Sequence, residues 1–231
     1  MTQPDNAMPH SASEYDQVIR QIIPFYDVIQ SDTLDLVKSV KPDVSQWLDT
    51  GCGTGYLIEM ALPLFPQTRF MLTDPSQAML REAKKRFENE SPERVKILSA
   101  MGSDNLRTSS RGLKPQVITA ILCHHYLRAS GRKEAVQSCY EALEEGGLFI
   151  TFENIDFGSL RANEIALDRW GSYQMEQGKS ASEIESHRKR FKVRYFPITI
   201  DDHLDQLKNM GFQMAEMFRL SYMQAGFFAV K

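Results

Sequence analysis

An α/β fold, with a mostly parallel, doubly wound sheet of seven strands, is predicted by three features of the 231-residue sequence. Short apolar runs of strand length alternate with longer segments of helical period, the pattern of right-handed βαβ crossovers. One run, Val117–Leu122, is apolar nearly throughout, as strands covered on both faces are. The third feature is the turn Asp49-Thr50-Gly51-Cys52-Gly53-Thr54-Gly55, which leaves the first strand and is followed by Asp74 at the end of the second. Glycines there let the backbone turn sharply and approach a ligand closely, because no Cβ stands in the way.

The first fourteen residues are polar and lack the apolar run of a signal peptide, so Met1–Glu14 is predicted to be a loose, disordered tail and 15–231 a single domain. From Tyr15 to Val40, apolar residues recur at helical spacing with Pro24 breaking the run, which predicts two N-terminal helices. Val44–Asp49 is the first strand and Tyr56–Leu64 a helix with an apolar face, closed by prolines. Phe70–Thr73 is the second strand, followed by a helix from Asp74 to Phe87. Val95–Ser99 and Val117–Leu122 follow as strands, then a helix over Arg132–Leu143. Gly146-Gly147 turns that helix into the strand Leu148–Phe152. The alternation then stops: about 156–194 reads as a polar helical cap with scattered apolar anchors, inserted beside the carboxyl ends of the strands, where ligands bind in open sheets. A last helix over 200–210, ended by Gly211, leads to a C-terminal antiparallel hairpin at Gln213–Leu220 and Tyr222–Val230.

Composition narrows the partners. With 27 Lys and Arg against 30 Asp and Glu, the net charge of −3 gives no global attraction for nucleic acid or an anionic membrane. Three cysteines, an odd number without a Cys-x-x-Cys spacing, argue against a disulfide framework and against a zinc site, and suit a reducing cytoplasm. No metal is expected, and a homodimer is compatible with the sequence.

The glycine spacing bears on the cofactor. A dinucleotide fingerprint is Gly-x-Gly-x-x-Gly, presented to a pyrophosphate. Here the order is Gly51-x-Gly53-x-Gly55, and the preceding Asp49 would repel a pyrophosphate but could accept a hydrogen bond from an ammonium group. This strand, Asp-x-Gly-x-Gly-x-Gly and helix resemble motif I of the class I S-adenosylmethionine (SAM)-dependent methyltransferases, which have a Rossmann-like fold. The resemblance spans about 44–152 and 199–230. It implies SAM as cofactor, with Asp49, Gly51, Cys52, Gly53 and Gly55 around its methionine part and Asp74, followed by Pro75, on the ribose hydroxyls. It also implies that Met101 lies against the adenine, with Asp104 as a substitute polar contact, and that Leu122 lines the sulfonium pocket. Leu143-Glu144-Glu145-Gly146-Gly147 matches the family's Leu-x-Pro-Gly-Gly turn with Glu145 in place of Pro.

His125, after the fourth strand, matches a histidine common in the family. It could act as a general base, since its pKa is tunable across neutrality, or it could hold the strand-four loop. Cys123 reads as a nucleophile only with an activating base, and otherwise as a small core residue. The basic run His187–Arg194 is a solvated helix end or the source of a guanidinium fork for a carboxylate or phosphate.

A subfamily likeness bears on that choice. Arg20-Gln21-Ile22-Ile23-Pro24-Phe25-Tyr26, the segment 184–190 and the ending Gln224–Lys231 are similar to the carboxy-S-adenosylmethionine synthases. That likeness implies a cofactor contact at Tyr26 and an anion contact at Arg188 or Arg190. The synthases have Gly-Cys-Ser-Leu-Gly in the glycine loop and Asn on strand four, where this chain has Gly51-Cys52-Gly53-Thr54-Gly55 and Ile121. The expectation is therefore a cytoplasmic SAM-dependent methyltransferase acting on a small-molecule nucleophile, with Arg188 or Arg190 as the contact for an anionic group of that substrate. The alternatives are a carboxy-SAM synthase-like enzyme and a non-catalytic binder of SAM or S-adenosylhomocysteine.

Overall fold

In the computed structural model, which describes residues 12–106 and 114–231, seven strands form one sheet in the order β3-β2-β1-β4-β5-β7-β6. The strands are β1 (Gln46–Thr50), β2 (Arg69–Thr73), β3 (Val95–Ile97), β4 (Val117–Ile121), β5 (Leu148–Asn154), β6 (Met214–Ser221) and β7 (Gln224–Val230). Strands β1 to β5 pair in parallel, whereas β7 runs antiparallel to both β5 and β6. The seven-stranded, mostly parallel Rossmann-like sheet and its antiparallel C-terminal hairpin are thus as the sequence predicts.

The helices are α1 (Tyr15–Ile22), α2 (Tyr26–Val40), α3 (Tyr56–Ala61), α4 (Gln77–Arg86), α5 (Ala129–Ala142), α6 (Leu160–Glu176), α7 (Ala181–Arg188) and α8 (Ile200–Met210). One apolar layer packs α2 and α3 against β1 and β2, around the buried Trp47, Ile58, Phe70 and Leu72. The other packs α5 and α8 against the opposite face through Val136, Cys139, Leu143, Phe149, Leu207 and Phe227. Burying both faces explains why β4 and β5 read as near-continuous apolar runs.

Several boundaries differ from the sequence reading. Of the predicted tail, residues 1–11 lie outside the described residues, whereas Ala12–Glu14 form a 3-10 turn leading into α1. Pro24 breaks the first helical run as expected, and Phe25 behind it takes a left-handed conformation, φ 58°, from which α2 starts. Helix α5 begins at Ala129, three residues before the predicted start, and α3 stops at Ala61, ahead of Pro63. The segment read as a cap holds two helices, α6 and α7. The first docks on α1: Trp170 Nε1 donates to the carbonyl of Ile22 at 2.5 Å, and the Tyr173 hydroxyl donates to that of Arg20 at 2.7 Å.

Strand order reverses between β1 and β4, whose neighbours in sequence lie on opposite sides. Crossovers leave a doubly wound sheet in opposite directions at that point, and a crevice opens at the carboxyl ends of the two strands.

Candidate functional site

A narrow cleft at this switch point is lined by the β1 loop (Asp49, Gly51, Cys52, Gly53, Thr54), the end of β4 (Ile121, Leu122), α3 (Tyr56, Leu57) and the N-terminal helices (Tyr15, Tyr26, Gln30). Its backbone is unusual. Gly51, Gly53 and Gly55 have φ of 66°, 56° and 83°, a region that side chains disfavour. Their roles differ. A Cβ on Gly51 would meet Cβ of Cys123 at 2.6 Å and one on Gly55 would meet Phe87 at 2.6 Å, so both permit close packing inside the protein. A Cβ on Gly53 would have only Tyr15 nearby, at 3.9 Å, so this glycine opens towards the cleft. At the facing wall Leu122 also adopts positive φ, 56°, although it is not glycine. Strain of this kind concentrates at ligand sites.

Asp49, next to last in β1, is almost wholly buried and accepts a hydrogen bond from the Thr119 hydroxyl at 2.6 Å, while Thr119 in turn accepts from Trp47 Nε1 at 2.9 Å. Burial pushes its carboxyl up to about 7, the Thr119 bond opposes that and the Asp74 charge adds to it. Such a carboxyl calls for a cation beside it. Asp74 is tied by its own chain: Oδ2 accepts from the Gly53 amide at 2.9 Å and Oδ1 from the Ser76 amide at 2.8 Å. It thereby fixes the glycine loop against the end of β2.

Of the residues expected at a cofactor, the structure brings Tyr26, Asp49, Gly51, Cys52, Gly53 and Leu122 to one cleft. Gly55, Asp74, Pro75 and Met101 do not line it. Pro75 is exposed, and the Met101 amide donates to the carbonyl of Asp74 at 3.2 Å, placing both beside the loop. Gln30, Tyr15 and Thr54 line the cleft without having been singled out. Thr54 could have been read from the motif, but Tyr15 and Gln30 arrive only through packing of α1 and α2.

The N-terminal segment straps over this cleft. The Thr54 hydroxyl donates to Asp16 Oδ1 at 2.6 Å, Arg86 bridges Asp16 and Glu59, and Arg20 pairs with Asp27 at 2.8 Å while lying 4.7 Å from the centre of the Tyr56 ring. About 30 Å³ of free space remains beneath the strap.

A second, larger cavity of about 270 Å³ lies between α1 and the cap helices. Ile19, Ile22 and Ile23 form its apolar side; Asn154, Gln174, Lys179, His187 and Arg190 are on its polar side, with Tyr126 and Tyr195 between them. The basic run therefore splits. Arg190 faces the cavity, whereas Arg188 turns outward to pair with Asp168 on α6, and Lys192 pairs with Asp156.

His125 lies in neither cavity. It is buried in a 3-10 turn, His124–Tyr126, with Nδ1 2.8 Å from Glu153 Oε2. Glu153 also accepts from the His125 amide at 2.7 Å, the His124 amide at 3.2 Å and the Thr151 hydroxyl at 2.6 Å. Burial alone would raise its pKa, but these donors hold it down to about 2. Phe196 N donates to the His125 carbonyl at 2.6 Å, so the turn also fastens the chain after the cap. The His124 ring points elsewhere, to Ser103 Oγ at 2.8 Å. Cys123 is half-buried and packs against the core, and its Sγ donates to the Thr50 carbonyl at 3.6 Å. Burial pushes its thiol up, away from nucleophilic character.

Comparison with known proteins agrees with this architecture. Residues 48–149 match the family model described as a methyltransferase domain. Over 89% of the chain and 86% of the relative, the sequence is 27% identical to the carboxy-S-adenosyl-L-methionine synthase of Nautilia profundicola. Among solved structures, the plantazolicin methyltransferase BpumL, in complex with a monoazolic desmethylPZN analog and S-adenosylhomocysteine, superposes with a TM-score of 0.68 at 14% identity. The match covers 95% of this chain and 88% of that one. An O-methyltransferase family protein from Burkholderia thailandensis gives 0.63 at 13% identity, over 98% of this chain but only 65% of its own length. The span matched by the family model runs from β1 to β5, so it contains the glycine loop, Asp74 and the strand-four turn, but neither the strap nor the cap.

Proposed function

We propose that the protein is a SAM-dependent transferase whose narrow cleft holds the cofactor and whose larger cavity takes a small-molecule acceptor. The observation that carries this reading is the cleft's donor set: a buried Asp49 carboxyl in need of a cation, beside a left-handed glycine loop open at Gly53. Asp49 suits the ammonium group of the methionine moiety, and Asp74 the ribose hydroxyls once its oxygens exchange their backbone partners. When bound, SAM supplies an activated methyl group, so the protein's own task is to orient the reactants and exclude water. The strap excludes water from the cleft, Leu122 just after β4 lines that cleft while Tyr126 in the following turn lines the larger cavity, and Arg190 orients an anionic acceptor. His125, held in one orientation by Glu153, keeps the strand-four turn in place.

The favoured chemistry is methyl transfer to a nucleophile of the acceptor, because Gly53 and Thr54 form the ordinary glycine loop. The second reading, carboxy-SAM synthase-like modification of SAM itself, is favoured by the name of the curated relative and by the presence of Arg190 in the cavity. Both readings place the reaction in the cytoplasm. Mass spectrometry of nucleosides released from the purified protein separates them. Methyl transfer predicts SAM or S-adenosylhomocysteine, with Arg190→Ala raising the acceptor's KM at least about tenfold. The synthase-like reading predicts a species heavier than SAM by one carboxylate, lost in Arg190→Ala. Arg188→Ala should alter neither, and protein that neither retains nor binds these nucleosides would sink both readings.

A further inference from the structure

Helix α2 presents one misfit to the cleft. Its buried face runs Tyr26, Ile29, Gln30, Thr33, Leu34, Val37, and Gln30 is the only member with a long polar side chain. Tyr26 and Gln30, four residues apart, lie on the same side of the helix and both line the cleft. Gln30 is 2% exposed, and its Oε1 has no hydrogen-bond partner. Buried amide oxygens are nearly always paired, since leaving one unmated costs its full desolvation. Of the lining hydroxyls, Thr54 donates to Asp16 and Tyr56 to Asp27, and the lining holds one carboxylate, Asp49, and no Lys, Arg or His. A cleft walled by two acceptors and no cation is built for a donor that carries positive charge.

We propose that Gln30 is a further cofactor-binding residue, its Oε1 accepting a hydrogen bond from the ammonium of the amino-acid end of SAM while Asp49 supplies the opposite charge. This assignment rests on the cofactor reading above. The ammonium has three N–H donors, enough for Asp49, Gln30 and a carbonyl of the glycine loop. The strap and α2 join at Phe25, so the same contact would couple occupancy of the cleft to the position of the N-terminal helices.

The test is calorimetric titration of Gln30→Leu with two ligands. S-adenosylhomocysteine carries the ammonium, whereas 5′-methylthioadenosine keeps the adenosine and thioether but lacks the amino-acid end. The variant should bind S-adenosylhomocysteine on the order of tenfold more weakly, with 5′-methylthioadenosine unchanged. Gln30→Glu, which keeps an acceptor there, should retain S-adenosylhomocysteine. Gln30→Met, also apolar and more flexible, replaces the leucine variant if that one fails to fold. Unchanged S-adenosylhomocysteine affinity, or an equal loss for both ligands, overturns the assignment and leaves the cofactor reading standing. Wild-type protein that binds neither ligand overturns the cofactor reading itself.

Discussion

Burial pushes the Asp49 carboxyl up to about 7, so near neutrality the group divides between acid and anion. An ammonium ligand pairs only with the anion, and binding must therefore release a proton wherever Asp49 is protonated in the free protein. The sign follows: affinity for S-adenosylhomocysteine should fall about tenfold per pH unit below pH 7 and level off above it. Calorimetric titration between about pH 5.5 and 7.5 checks this, with Asp49→Asn expected to bind weakly and without that slope. A flat wild-type profile would mean that Asp49 does not face the ammonium. Legibility at this scale follows locality. Asp49, Gly51 and Gly53 are readable because strand, turn and acid are contiguous, whereas Gln30 and Tyr15 are brought in from helices that no local pattern ties to the loop. Tyr26 could be named only through the family likeness. The divided roles of the three glycines depend on Cys123 and Phe87 behind them, which sequence spacing does not reveal.

Among the elements, α1 stands out because it is fastened to the glycine loop mainly by polar and charged contacts. Asp16 accepts from Thr54 and pairs with Arg86, and both contacts would break together if the helix swung outward. With only about 30 Å³ of space beneath it, entry of a nucleoside requires such a movement. Asp16→Ala should accordingly speed both association and release of S-adenosylhomocysteine several-fold, with a smaller change in Kd, as read by stopped-flow fluorescence of the protein's tryptophans. Unaltered rates would show that the strap does not gate the cleft. The helical pair before β1 was legible from its period and from Pro24, but the strap's role was not, since its partners are Thr54, Arg86 and Glu59, far along the chain. In the cap, apolar anchors are too sparse to fix helix limits by period. A local signal was nevertheless present: Ser180 and Glu183 form a capping box that starts α7, as Thr199 and Asp202 do for α8. The basic run could not be divided by spacing alone, because Arg188 is turned outward by Asp168 on a different helix.

Across the whole molecule, buried histidines surround one buried carboxylate at the carboxyl end of β5. Glu153 is held at about 2, so it stays charged through the physiological range and its contribution to stability is lost only as pH falls from about 4.5 towards 2. His203, on α8, stacks 4.6 Å from the Phe227 ring with its Nε2 unpartnered, and burial pushes its pKa down to about 4. The unfolded chain therefore binds a proton at this residue near pH 6.5, before the folded protein does. Stability should fall as pH drops from about 6.5 to 4 and gain no further loss from His203 below that, a window that opens above the range of Glu153. The shift of about 2.5 units corresponds to roughly 3 kcal/mol, and burial lowers His124 in the same direction. Denaturant unfolding at pH 7 and pH 4.5 should show His203→Leu losing roughly 2–3 kcal/mol less than wild type between the two, with a residual slope left to His124. Equal losses in both proteins would mean that His203 is already protonated in the fold, with water or Glu153 stabilising its charge.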